Sequence, residues 1–90
     1  MDRVRASAIA QIEAALRSTL HDIESRVRNG AGHSTVGELV RHARELARLL
    51  DQAVDRLDPD PDTELVRRIA GDLHVDLDQL ERELAARPLH

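Results

Sequence analysis

Apolar residues recur every three or four positions along most of the chain, the period of a helix that buries one face. From about residue 2 to residue 28, Ile9, Ile12, Leu16, Leu20, Ile23 and Val27 form one stripe. Ala8 and Ala15 border it, and Ala6, Ala10 and Ala14 add helix propensity. Arg28-Asn29-Gly30 closes the segment in the usual way, with a basic last turn followed by residues that accept positive φ.

The second segment, about 36 to 57, has the most regular period. Val36, Leu39, Ala43, Leu46, Leu50, Ala53 and Leu57 alternate three and four apart, a heptad seam. Val40, Ala47 and Val54 widen the seam on one side and Leu49 on the other. Glu38–Arg41, Arg41–Glu45 and Glu45–Arg48 are spaced for ion pairs worth ~0.2–0.5 kcal/mol each.

A third segment, about 61 to 87, opens after Asp-Pro-Asp, with Asp60 placed to cap and Pro61 suited to the first helical position. Leu65, Val66, Ile69, Ala70 and Leu73 form its first apolar face, and Leu77, Leu80 and Leu84 continue it until Pro88. Gly71-Asp72 weakens the helix between these runs, and Asp76 followed by Gln79 resembles a capping box. The spacing therefore predicts either one kinked helix or, as the preferred reading, two short ones. The whole chain, 1–90, reads as one all-α domain, an antiparallel three-helix bundle.

A broken third helix would leave part of the long hairpin of segments one and two uncovered. Exposed apolar strips of that size mark interfaces, and a two-fold dimer is the commonest closure. Homodimerisation is therefore expected, through Leu39, Leu46, Leu49, Leu50, Val54 and Leu57.

The connection at residues 29–39, Asn-Gly-Ala-Gly-His-Ser-Thr-Val-Gly-Glu-Leu, contains the only suggestion of nucleophile or phosphate chemistry. Its Gly32-to-Gly37 spacing is one residue too long for a nucleophile elbow, and a helix rather than a strand precedes it. A phosphate loop needs a preceding strand and a lysine, and the chain has no lysine. Thr35 and Glu38 instead match a capping box at the start of the second helix, with Gly30 and Gly32 letting the chain reverse. The stretch reads as a hinge.

The histidines add little chemistry. His42 is four residues from Glu38 and three from Glu45, but bundle metal sites need such pairs repeated on a second helix. His21, His33, His74 and His90 show no ligand spacing, so no metal, cofactor or catalytic residue is expected.

Residues 65–85 resemble a DNA-binding helix-turn-helix through Ile69, Ala70, Leu73, Val75 and Leu80. The resemblance implies a small transcriptional regulator or antitoxin-like protein. His74 departs from the glycine usual in the turn, and Glu83 from an apolar position. The recognition helix would be Asp-Leu-Asp-Gln-Leu-Glu-Arg-Glu-Leu, with four acids against one arginine. Phosphates would repel it.

Composition narrows the classes further. Without cysteine there are no disulfides or zinc-thiolate sites, and without aromatics there is no base stacking for single-stranded nucleic acid. All 13 basic residues are arginine, a bias that suggests a high-GC, bacterial genome. No segment reads as a signal peptide or membrane span, so a cytoplasmic protein is expected. The net charge of −4 resides in the last third, where four arginines face nine acids. Several of those acids suit helix N-termini, and together they also suit a basic partner. A compact helical enzyme of chorismate-mutase size, with Arg5 as a substrate ligand, is a further alternative; the residues after Arg5 are out of register with that family. The sequence points first to a non-enzymatic protein–protein interaction module, an adaptor, docking or assembly subunit. It would act through apolar helix faces and the acidic last third.

Overall fold

The computed structural model describes residues 3–30, 32–57 and 61–86. Three helices, α1 (Arg3–Arg28), α2 (His33–Asp55) and α3 (Pro61–Ala86), make 94% of these residues helical, and no strand occurs among them. The expected helix start at Asp2, the Asp60 cap, the end at Arg87 with its Pro88 stop, and His90 lie outside the described residues.

The α1 stripe folds as its spacing requires. Ile9, Leu16, Leu20 and Ile23 are buried, with Ile12 and Val27 packed at the margin. Thr19 is buried too, and its hydroxyl donates to the Ala15 carbonyl one turn back at 2.8 Å, which satisfies it inside the helix. The helix ends on Gly30, whose φ of 80° is the one left-handed backbone conformation in the described chain. The Gly30 amide donates to the Val27 carbonyl at 3.1 Å, one of the two bonds of a glycine-closed helix terminus.

The second helix begins three residues before the predicted start, and this overturns the expected cap. Gly32 occupies the N-cap position in an extended conformation, with no side-chain capping bond. The Val36 amide already donates to the Gly32 carbonyl at 3.2 Å. Thr35 therefore stands inside the first turn with Glu38 beyond it, and both are exposed. Glycine is a tolerated N-cap, and with Gly32 in that place the helix starts ahead of the threonine.

The largest difference lies in the third segment. α3 runs unbroken through Gly71-Asp72, so the helix pair and the helix-turn-helix corner are both absent. An interior glycine costs only about 1 kcal/mol relative to alanine. Ala70, Leu73, Leu77 and Leu80 are all buried on one face across that point. Burying each large apolar side chain contributes roughly 1.5–3 kcal/mol, so packing wins. Continuous α3 is as long as α1 and covers the hairpin.

Between them, α2 is the shared wall. Val36, Ala43, Ala47, Leu50 and Val54 are buried along it, and Leu57 just past its end. α1 and α2 make the most extensive contact, α2 and α3 the next, and α1 and α3 the least, within a rod of 47 × 20 × 17 Å. Of the six residues expected at a dimer interface, Leu50, Val54 and Leu57 are thus consumed by the chain's own core. Leu39 and Leu46 pack at its margin, and Leu49 alone is exposed, at 47%.

Three substitutions check these assignments by denaturant unfolding. Leu50→Ala should cost ~2–5 kcal/mol, the usual range for a fully buried leucine. Leu49→Ala should stay within about 0.5 kcal/mol, as exposed substitutions do. Thr35→Ala should be neutral or slightly stabilising; a loss of ~1 kcal/mol or more would return Thr35 to the cap.

Candidate functional site

Two features outside the core are organised enough to describe as sites. The first is a polar seam between α2 and α3. Arg44 grips Glu81 with two bonds, Nε to Oε1 at 2.6 Å and Nη2 to Oε2 at 2.9 Å. One heptad further along both helices, His74 Nε2 lies 2.7 Å from Asp51 Oδ1. Arg44 and Asp51 are seven residues apart on α2, as are His74 and Glu81 on antiparallel α3, so one register makes both pairs. Ala47 and Leu77 lie between them under a shallow depression.

The electrostatics of this seam are those of fastening. The Arg44 hydrogen bond holds the Glu81 carboxyl below its ordinary value, while partial desolvation works against that shift. The same bond and the Glu81 charge raise Arg44. At the entrance to α3, Arg67 Nη2 donates to the Leu57 carbonyl at 3.1 Å and ties the α2–α3 connection to the new helix.

The second feature is the α1–α3 edge, where contact is thinnest. A groove of about 280 Å³ opens there, lined by Glu24, Val27 and Arg28 from α1 and Leu80, Glu83 and Leu84 from α3. Leu80 is buried, and Val27 and Leu84 are half-buried. The groove is open and smaller than a typical small-molecule pocket. Toward the other end of α3, Leu65 is 58% exposed. Glu13 of α1 is largely buried, a charge on the margin of the apolar stripe that the sequence pattern did not single out.

The remaining candidates stay apart. His42, Glu38 and Glu45 are exposed on the outer face of α2, where Glu45 pairs with Arg48 at 3.5 Å. Among the described residues, no group of three or more His, Cys, Asp or Glu is placed to hold a metal ion. Arg5 is exposed on α1. No helix of the described residues is long and apolar enough to cross a membrane.

The Glu81 shift has a pH consequence. Because its carboxyl is depressed in the folded chain, the ion pair stabilises fully above the ordinary glutamate value of 4.5 and is lost as pH falls through the lower folded value. Glu81→Gln should therefore lower the melting temperature near neutral pH. Its difference from the wild type should close as pH falls below 4.5, and an unchanged difference at low pH would show that the loss is one of packing. Comparison of the chain with protein-family models, curated proteins and solved structures finds no match.

Proposed function

We propose that the protein is a non-enzymatic interaction module, an adaptor, docking or assembly subunit that binds another protein through its incompletely covered helix edges. The observation that carries this is the α1–α3 edge, where an open groove and exposed Leu65 lie on the most acidic helix. An apolar strip rimmed by charge is the ordinary composition of a docking face. The polar seam, by contrast, consists of side chains that already satisfy one another across α2 and α3.

Homodimerisation belongs to the same reading, narrowed to the Leu49 strip with the exposed margins of Leu39 and Leu46. A regulator reading duplex DNA through residues 65–85 is disfavoured twice, by the unbroken α3 and by its seven acids against three arginines.

Affinity capture from the native host, comparing the wild type with exposed-site variants Leu65→Arg and Leu49→Arg, tests the module. One protein held in fixed proportion by the wild type and lost with Leu65→Arg is the expected result. Identical recoveries with all three chains would contradict it, as would salt-sensitive retention on bulk duplex DNA. Light scattering tests the pairing of two copies: a mass near twice 10.1 kDa that falls on Leu49→Arg supports it. A constant mass of 10.1 kDa removes it.

A further inference from the structure

We propose that the α1–α3 edge receives a basic amphipathic helix of a partner protein, laid along α3 with its apolar face in the groove. The proposal rests on the interaction-module reading and adds the chemistry of the occupant. Three observations converge on it.

The first is a continuous stripe. Leu65, Ile69, Asp72, Asp76, Leu80 and Glu83 follow one another at intervals of three or four residues, so they occupy one face of α3. Leu80 and Glu83 line the groove shared with α1, which fixes that face as the α1-facing edge. The stripe spans about 27 Å at 1.5 Å per residue, the length of five helical turns.

The second is what remains uncovered on it. Leu65 is exposed and Ile69 half-exposed at one end, while half-buried Val27 and Leu84 flank buried Leu80 in the groove at the other. Apolar anchors spaced along one helix edge are the recognition pattern of an amphipathic helix.

The third is the sign of the charge. Asp72, Asp76 and Glu83 stand exposed on the same edge, in a helix with seven acids and three arginines. Glu81 is occupied by Arg44 on the opposite side of α3. The α1 lip carries Glu24 and Arg28 and is balanced, so α3 sets the local field. A second copy would bring another acidic α3 toward this edge, and like charges oppose that approach. Lysine or arginine flanking an apolar stripe would meet the three carboxylates.

The chain lacks Trp, Tyr and Phe, so a probe peptide carrying one tryptophan reports binding without background. The probe is an 18-residue Leu/Lys amphipathic peptide, compared with its Leu/Glu counterpart. The Lys peptide should bind with a blue-shifted tryptophan, and the Glu peptide at least tenfold more weakly. The double variant Asp76→Arg/Glu83→Arg should weaken the Lys peptide by tenfold or more. Charge reversal at Glu38 and Glu45 on α2 should change its affinity less than threefold. All of these positions are exposed, and circular dichroism verifies that each variant keeps its helices. Amide shift changes should fall along Leu65, Ile69 and Leu84.

Equal binding of both peptides, or equal losses from the α3 and α2 reversals, would overturn the proposal as nonspecific adhesion. Absence of Lys-peptide binding would overturn it too. If Leu65-dependent capture from the host persists in that case, the interaction module stands and only the basic helix is wrong. If light scattering shows a dimer that Leu65→Arg dissolves, the occupant is a second copy.

Discussion

Every part of this molecule depends on α2 burying two sides at once. A single helix stripe can be covered by one neighbour, but the α2 face is wider than that. Leu50 and Val54 need cover along its centre, and Ala43 and Ala47 lie buried in the same row. Those alanines are small enough to let neighbouring helices approach closely, and their burial leaves no room for a larger side chain without displacement. A third helix of full length is the only element of the chain that can complete the cover, which is why the weakness at Gly71 does not break it.

Side chains packed between the helices set their register, and charge marks it. The Arg44–Glu81 and His74–Asp51 pairs meet only when α3 is held at one height on α2. Arg67, bound to the Leu57 carbonyl, anchors the same register where the chain turns. Among the described residues, α1 and α3 make the least extensive contact of the three helix pairs, so the seam between them is the thin one.

Much of this was legible in the sequence. The stripes of α1 and α2, the end of α1 near Arg28, and an all-helical chain follow directly from period and turn residues, whereas the second segment, expected to reach Leu57, ends at Asp55. Three features were not. Thr35 has the right local pattern for a cap, but capping is decided by where the helix starts, and Gly32 serves in its place. Gly71 and the Asp76–Gln79 spacing are local signals of a break, outweighed by Ala70, Leu73, Leu77 and Leu80, whose burial is a property of the assembled fold. The dimer was expected because a broken third helix would leave the hairpin uncovered, and continuous α3 supplies that cover from the same chain. The two α2–α3 ion pairs had a faint signature, opposite charges seven apart on both helices, which becomes readable only once α3 is continuous.

The core depends on α3 covering α2 within one chain, and isotope-filtered nuclear Overhauser spectroscopy observes that contact directly. Ala47 and Leu77 line the same α2–α3 depression, and their methyl groups should give cross-peaks in a uniformly labelled sample. In a mixture of labelled and unlabelled chains, filtered for contacts between molecules, those peaks should vanish. Their persistence between chains would show that α3 covers a neighbour's α2, and the single-chain core described above would be wrong.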